Sequence, residues 1–240
     1  MNKTSEVIYF DDRIIVVNKA PGVATVADRH GMQDNYLLKW LHQKFDEVYP
    51  VHRLDTNTSG LICFARTGEE QRRLSQIFEE RKVIKKYKAI VLGIPKPEHG
   101  IIEAPILRQE NKNQVIISPK GKPAITYYTV ERALKNYALL DLRLETGRTH
   151  QIRVHLQHIG HPLLVDPMYG GQEMFLLSNV KSHFRGDRTE ERPLLSRTPL
   201  HAFHLEIPRP DGTMQSFEIV LPKDMMAVLK QLEKLYSAKR

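Results

Sequence analysis

Strand-like segments that follow one another, mostly without a helix between them, constrain the fold of this sequence most. Nine segments are apolar or alternate apolar with polar residues: "VIYF", "RIIVVNK", "GLICFAR", "KYKAIVLG", "QVIIS", "ITYYTVER", "YALLDLRLE", "HLEIP" and "MQSFEIV". The turn "RPDGT" separates the last two, which is typical of a hairpin. Because hairpin-like neighbours dominate over strand–helix–strand repeats, we predict an α+β fold with a mixed, mainly antiparallel sheet of about eight strands and flanking helices.

Four further segments have helical periodicity and predict the flanking helices. They cover residues 34–45, 67–82 and 147–160 and the end of the chain from about Lys223. Asp34 is the expected cap of the first helix, and Thr67 with Glu70 predicts a capping box at the start of the second. Gly160 is expected to end the third.

Length and composition predict one cytoplasmic domain over residues 1–240. The hydrophobic share of 41% is enough for a core, and no stretch of about 18 apolar residues could span a membrane. The start of the chain lacks the long apolar segment of a signal peptide, and the single cysteine, Cys63, cannot form an internal disulfide. The net charge of +8 predicts an anionic partner, most commonly nucleic acid, although it also suits simple solubility.

The stretch "HRLDTNTSGL" at residues 52–61 places a carboxylate in a turn directly before a buried strand. Asp55 follows Arg53 closely, and the hydroxyl and amide side chains at positions 56–59 can fold back onto their own backbone. Such a loop can hold a catalytic carboxylate rigidly at the edge of a sheet. The same spacing suits an aspartate that only caps a turn, so the residues alone leave both interpretations open.

The segment 147–160 carries more polar side chains than an ordinary amphipathic helix needs. They are Arg148, His150, Gln151, Arg153 and His155, some of which a solvated face would explain. A carboxylate buried in a cleft needs a cationic or donor partner to stay ionised, and arginine suits that role because its guanidinium is always charged. This segment is therefore a candidate source of a partner for a catalytic carboxylate.

Three other kinds of site fit the sequence poorly. His150 and His155 are five positions apart and diverge around a helix, which argues against a metal site. The stretch "NTSGL" is not the nucleophile elbow of a serine hydrolase. Glycine-rich phosphate loops of the common nucleotide-binding types are missing from the sequence, which argues against a nucleotide cofactor. Together with the histidine spacing, this leads us to predict neither a metal nor a cofactor.

Five motifs resemble those of the RluA-type pseudouridine synthases, and they follow one another along the chain in the order found in that family. "HRLDTNTSGL" resembles the signature H-R-L-D-x-x-T-S-G. The others are "NKAPG" at 18–22, "KKYKAIVLG" at 85–93, "TGRTHQIRVHLQHIGHPLLVDPMYGG" at 146–171 and "LHA" at 200–202. The chain departs from the family pattern where Pro21 is displaced by one position and where Val165 replaces a glycine.

The resemblance implies the pseudouridine synthase fold and the isomerisation of uridine to pseudouridine in RNA, without a cofactor. The target base would be flipped into the site, cut from its sugar at nitrogen, turned and rejoined through carbon 5. Asp55 matches the essential aspartate, acting as a nucleophile or as the group that deprotonates the sugar. Arg153 matches the arginine that pairs with that aspartate, and Tyr87 matches the tyrosine that stacks on the base.

The resemblance also implies a wider set of substrate-binding residues. Arg53 matches a residue that can occupy the space left by the flipped base, and Leu54 and Ile152 would pack beside the site. The full predicted set is Arg53, His52, Leu54, Arg148, Ile152 and Lys86.

Asp55 comes early in the chain, which predicts the short branch of this family without an accessory RNA-binding domain. Such enzymes act on tRNA, on large-subunit rRNA or on both, so we expect an RNA partner for a monomeric protein that binds no membrane. An RNA-binding protein without activity is one alternative. A nucleoside or glycoside hydrolase is another, but it would need a second carboxylate, for which Asp166 is the only candidate.

Residues 172–199 predict a charged insertion loop between the third large motif and the final hairpin. Positions 178–199 lack helical or alternating patterns and hold five basic residues against three acidic ones. The basic residues are Lys181, Arg185, Arg188, Arg192 and Arg197. The loop is either a surface spacer or a segment that closes over RNA.

Overall fold

The structure of the protein, a computed structural model, describes residues 4–27, 36–109, 112–181 and 183–237. The strands are β1 (Glu6–Phe10), β2 (Ile14–Lys19), β3 (Tyr49–Pro50), β4 (Ser59–Ala65), β5 (Ile84–Leu92), β6 (His99–Glu103), β7 (Ile106–Arg108), β8 (Val115–Ile117), β9 (Ile125–Leu134), β10 (Tyr137–Leu144), β11 (Leu200–Pro208) and β12 (Met214–Glu218). The helices are α1 (Leu37–His42), α2 (Gly68–Glu79), α3 (Gln151–His158) and α4 (Lys223–Ser237), with 3-10 turns at Pro167–Tyr169 and Leu177–Asn179.

These elements belong to two compact units. The first contains Met1–Lys86 and His201–Val220, and the second contains Tyr87–Leu200 and Leu221–Arg240. Strands pair mainly antiparallel within each unit, which confirms the predicted mixed α+β class. The prediction that residues 1–240 act as a single catalytic domain stays a prediction.

The sheet of the first unit has the order β1-β2-β4-β11, with β3 beside β4 and β12 beside β11. All seven residues of β4 are buried, because β2 pairs with it antiparallel, β11 pairs with it in parallel and α2 packs against it through Leu74 and Ile77. Gly60 is required in β4, since a Cβ there would overlap the backbone of Ala202. The continuous apolar run "GLICFA" is therefore a central strand, as predicted.

The second unit contains the strand order β5-β10-β9-β6 and a separate antiparallel pair, β7 with β8. Helix α4 buries Val228, Leu229 and Leu232 in the larger core of this unit. Helix α3 buries Val154 in a smaller core with Tyr169 and apolar residues of β7 and β8. This smaller core positions the helix that carries Arg153.

Two predicted helices begin later than their patterns indicated. Helix α1 starts at Leu37 after Tyr36, which makes no side-chain cap bond, and the predicted cap Asp34 lies outside the described residues. Helix α3 starts at Gln151, because His150 adopts a left-handed conformation with φ of 51°. His150 therefore precedes the helix, contrary to the prediction of a helix over 147–160.

The remaining differences concern short elements. The described residues contain twelve strands instead of about eight, because β3, β6 and β7 are too short or too irregular for a pattern to reveal. Only half of the predicted capping box forms: Thr67 Oγ1 accepts from the Glu70 amide, while the Glu70 carboxylate binds Arg73. Segment 172–199 is a loop in its described residues apart from one 3-10 turn, and Phe175 pairs with Leu195 at its base.

Candidate active site

Asp55 lies in the loop between β3 and β4, and hydrogen bonds within the first unit hold the main chain around it. The Thr58 amide donates to the Asp55 carbonyl oxygen over 3.0 Å. Beside it, Thr25 Oγ1 donates to the Leu54 carbonyl oxygen over 3.0 Å and accepts from the Leu54 amide over 3.3 Å. The predicted turn therefore exists, and its aspartate is half-buried.

Lys19, at the end of β2, is a buried cation for which the sequence patterns suggested no role. Its ammonium donates to the carbonyl oxygens of Ala20 (3.1 Å), Val23 (2.7 Å) and Thr56 (3.0 Å). A buried ammonium is costly without such acceptors, so this cluster fixes the residue that directly follows the candidate aspartate. The motif "NKAPG" was the available sequence signal.

Ser59 and His201 form a buried hydrogen bond where β4 pairs with β11. Ser59 Oγ lies 3.0 Å from His201 Nδ1, and His201 Nε2 lies 3.1 Å from the Val220 carbonyl oxygen. Because a carbonyl oxygen only accepts, Nε2 carries the proton of that bond, and Nδ1 faces the serine hydroxyl. Residues of two distant motifs thus hold the start of the strand that follows Asp55.

His52 packs within the first unit as a neutral imidazole. Its Nε2 accepts from the Cys63 amide over 3.0 Å, and its ring stacks on Phe78 with the centroids 4.6 Å apart. Burial, aided by the positive charge of Lys85, lowers the pKa of His52 to about 3. These contacts make His52 a support for β4, and its role in substrate binding stays a prediction.

The other predicted binding residues fall into two groups. Leu54 and Ile152 are buried, and their packing beside the substrate stays a prediction. Arg53 and Arg148 are exposed and Lys86 is half-buried, and the Arg148 guanidinium donates through Nε to a main-chain carbonyl oxygen over 3.2 Å. Substrate contacts by these three cations stay predictions.

Arg153 of the second unit forms a bidentate ion pair with Asp166. Arg153 Nε lies 2.6 Å from Asp166 Oδ2, and Nη2 lies 2.8 Å from Oδ1. The Asp166 side chain is only 1% exposed, and that of Arg153 is 11% exposed. Tyr87 of the same unit is buried in β5. The predicted pair of Arg153 with Asp55 stays a prediction, whereas the sequence patterns did not reveal the contact with Asp166.

The ring of Tyr169 lies against the guanidinium of this pair. Arg153 Cζ is 4.8 Å from the Tyr169 ring centroid, a cation–π contact. The fully buried Tyr169 hydroxyl accepts from the Val115 amide over 3.0 Å, so its own proton is available to His150 Nδ1 at 3.0 Å. His150, the left-handed residue directly before α3, is therefore tied through its side chain to Tyr169.

Within the described ranges, no group of three or more His, Cys, Asp and Glu side chains is close enough to hold a metal ion. His155 Nε2 bonds to the Ala104 carbonyl oxygen at 3.0 Å, and burial lowers the pKa of the imidazole. None of the described helices is both long and apolar enough to cross a bilayer.

Comparison with known proteins gives a consistent result over most of the chain. The family model for RNA pseudouridylate synthase matches residues 13–158. The ribosomal large subunit pseudouridine synthase D of Buchnera aphidicola is 36% identical over 236 residues, covering 95% of this chain and 73% of that protein. The protein of the same name from Haemophilus influenzae is 36% identical, covering 96% of this chain and 71% of that protein.

Two solved structures share the fold. Human RNA pseudouridylate synthase domain containing 4 superposes with a TM-score of 0.72 at 24% identity, covering 95% of this chain and 92% of that chain. Human RNA pseudouridylate synthase domain containing 1 superposes with a TM-score of 0.67 at 26% identity, covering 96% and 95%. The similarity thus extends through both compact units.

Proposed function

From the premise that the chain belongs to the RNA pseudouridylate synthase family and is an RNA-acting isomerase, we propose that Asp55 is its catalytic residue. The proposed substrates are flipped-out uridines of large-subunit rRNA, tRNA or both. The observation that carries the proposal is the support of the Asp55 loop, which is bonded from Thr25 and Lys19. A carboxylate must be held in one place to act on a single atom of a substrate. The names of the bacterial relatives favour large-subunit rRNA among these substrates.

The proposed reaction breaks the bond between uracil nitrogen and the sugar and forms one from carbon 5 to the same sugar carbon. Carbon 5 then gives up its proton to solvent, and the freed nitrogen takes one up. Asp55 acts as the nucleophile or removes a proton from the sugar, and it is regenerated in either case. The isomerisation is redox-neutral and consumes no second substrate. The protein therefore needs to bind, orient and desolvate the reacting groups, which its own side chains can do.

Three further residues have proposed roles around the uracil. Tyr87 stacks on the flipped base, which partly offsets the few kcal/mol needed to unstack it. Arg153 pairs with Asp55 and keeps it ionised and oriented. Arg53, which is exposed in the structure, fills the space that the base leaves. Under this proposal, residues 1–240 act as one catalytic domain in the cytoplasm.

The arrangement of Asp166 argues against a hydrolase. A glycosidase-type hydrolase needs a second carboxylic acid that protonates a leaving group. Both oxygens of Asp166 accept hydrogen bonds from Arg153, and the side chain is buried. Both oxygens of Asp166 are therefore occupied by Arg153, which leaves this carboxyl poorly placed to deliver a proton to a substrate.

Product analysis of RNA treated with the wild-type protein tests the proposal. Unmodified large-subunit rRNA and tRNA transcripts, labelled with tritium at uracil carbon 5, are incubated separately and then digested to nucleosides. We expect tritium release together with pseudouridine from at least one RNA. Free uracil would indicate a hydrolase, and unchanged RNA from both substrates, despite binding, would indicate a protein that only binds RNA.

A further inference from the structure

We infer that Asp166 is a positioning residue for catalysis, which fixes the orientation of the Arg153 guanidinium; the inference rests on the function proposed for Arg153. Asp166 binds the edge of the guanidinium formed by Nε and Nη2 with both carboxylate oxygens. A planar fork held at two points cannot rotate about its own axis. Asp166 therefore also fixes the direction in which the rest of the guanidinium, including Nη1, points.

A second contact restricts the guanidinium from its face. The Tyr169 ring lies 4.8 Å from Arg153 Cζ, and Nη2 also lies 3.8 Å from Met168 Sδ. Tyr169 is itself immobilised, because it is fully buried and its hydroxyl bonds to Val115 and His150. The carboxylate and the ring therefore define both the in-plane direction and the plane of the guanidinium.

The backbone that presents Asp166 is equally restricted. The amides of Tyr169 (3.0 Å) and Gly171 (2.8 Å) both donate to the Asp166 carbonyl oxygen. Gly171 has no room for a side chain, since a Cβ would overlap the carbonyl oxygen of Leu163. The motif "LLVDPMYGG" thus forms a tight turn with a single buried carboxylate at its centre.

Stability alone is a weak reason for such a pair. Taking two charges out of water is costly, and a buried ion pair is often no more stabilising than apolar residues of the same size. Reactions that depend on alignment are far more sensitive, because a misplacement of about 1 Å can lower a rate about 100-fold. For an arginine with a proposed role at the reacting groups, alignment is therefore a stronger reason for such a pair than stability.

The second unit contains a matched control for this inference. Arg197 binds Asp224 with the same two-point geometry, 2.8 Å from Nε to Oδ2 and 2.9 Å from Nη2 to Oδ1. Both side chains are largely buried, with exposures of 9% and 14%. Arg197 belongs to the charged loop, but its guanidinium is engaged by Asp224 and by the Thr198 carbonyl oxygen. Neither residue has a proposed part at the reacting groups, so Asp224→Asn removes an equivalent ion pair without changing a residue of the candidate site.

The test compares Asp166→Asn with Asp224→Asn in the full-length protein. Single-turnover pseudouridine formation is measured with saturating RNA, alongside the RNA dissociation constant and the melting temperature. For Asp166→Asn we expect a rate about 10- to 100-fold lower with RNA affinity within about twofold of wild type. For Asp224→Asn we expect a lower melting temperature and a rate within about twofold of wild type below that temperature. Equal rates for the two variants would overturn the inference.

A double-mutant cycle separates positioning from general destabilisation. If Asp166 acts through Arg153, Asp166→Asn should reduce the rate less than about twofold further when Arg153 is already lysine. Fully additive losses would show that Asp166 acts independently of Arg153. Should Asp166→Asn not fold, Asp166→Glu keeps the charge but displaces the guanidinium, and a wild-type rate for that variant would contradict the inference.

Failure of the proposed function gives a different pattern of results. If wild-type protein forms no pseudouridine, or if Asp55→Asn remains active, the function proposed for Asp55 is wrong. If wild type is active and Asp55→Asn is inactive, but Asp166→Asn matches Asp224→Asn, only the positioning role is wrong.

Discussion

The Arg153–Asp166 and Arg197–Asp224 pairs have nearly the same geometry but different surroundings. Arg197 uses its third nitrogen, Nη1, to donate to the Thr198 carbonyl oxygen over 2.9 Å, and Asp224 also accepts from the Met225 amide at the start of α4. The Arg153 guanidinium lies against the buried ring of Tyr169, and its helix, α3, lies within the motif at 146–171. Ion-pair geometry alone therefore does not identify a functional arginine; the remaining contacts of the guanidinium distinguish the two.

The two pairs also differ in what each carboxylate holds. Asp224 stabilises a helix N-terminus and the base of segment 172–199, which are structural tasks. Asp166 holds a residue to which the family resemblance assigns a role at the reacting groups. The following experiments test this distinction, from the largest expected effect to the smallest.

Asp55→Asn should abolish turnover, because the neutral amide can neither attack nor accept a proton; a loss of at least about 100- to 10,000-fold is expected. RNA affinity should stay within several-fold, since the positive charge of the protein supplies most of it. Tritium release from RNA labelled at uracil carbon 5 measures the loss. The control is Asp11→Asn, whose carboxylate caps the turn before β2 by accepting from the amides of Arg13 and Ile14. Similar rates for both variants would reduce Asp55 to a turn cap.

Arg153→Ala should be far more damaging to the single-turnover rate than Arg197→Ala. Removing one partner of a buried pair costs about 3–5 kcal/mol because the other charge is left unpaired, so both variants should lose stability. Only the first should also lose catalysis, and Arg153→Lys should retain more activity than Arg153→Ala. Near-wild-type rates for both Arg153 variants would show that this arginine does not support the reaction and that the two pairs are equivalent.

Tyr87→Phe should slow catalysis more than it weakens RNA binding. The ring that stacks on the base is retained and only the phenolic hydroxyl is removed. If that hydroxyl bonds to a charged group during the reaction, its loss removes about 1.5–3 kcal/mol, or roughly 10- to 100-fold in rate. Single-turnover rates and filter binding give the two quantities. The control Tyr137→Phe alters a buried tyrosine of the larger core in the same unit. A decrease in affinity equal to the decrease in rate would contradict the proposed role.

The triple change of Lys181, Arg185 and Arg188 to Gln should reduce the salt dependence of RNA binding. Each phosphate that the variant no longer neutralises should lower the slope of log affinity against log salt concentration by about 0.7–0.9. The control replaces Lys223, Lys230 and Lys234 of α4, which are also exposed, for the same change in net charge. If the two triple variants have the same slope, these three cations of segment 172–199 have no special part in RNA binding, as expected for a surface spacer.

His52→Gln should alter the pH dependence of stability while preserving a hydrogen-bond acceptor for the Cys63 amide. The pKa of His52 is lowered to about 3 in the folded protein, so its neutral form stabilises the fold fully above about pH 6.5 and this contribution is lost as the pH falls toward 3. The urea midpoint should therefore fall more between pH 7 and 4.5 in wild type than in His52→Gln. The exposed His99→Gln is the control. If the urea midpoints of His52→Gln and wild type change equally with pH, protonation of this imidazole does not destabilise the fold.

Several features followed from local sequence because their causes are local. The uninterrupted apolar run of β4, the hairpin of β11 and β12 around "RPDGT" and the turn around Asp55 each depend on residues within a few positions of one another. Short strands such as β6 and β7 were missed, since their own patterns are weak.

The sequence by itself determined the fold class, the family and the candidates Asp55, Tyr87 and Arg153, because strand periodicity and motif residues can be recognised without knowing any contact. Only the tertiary structure decided which groups the charged side chains contact. The Lys19 ammonium meets the Thr56 carbonyl oxygen across 37 residues, Arg153 meets Asp166 across 13 and Arg197 meets Asp224 across 27. Charge and spacing are the same for many possible pairs of arginine and aspartate. Burial and the direction of the guanidinium, which depend on the packed chain, select among them.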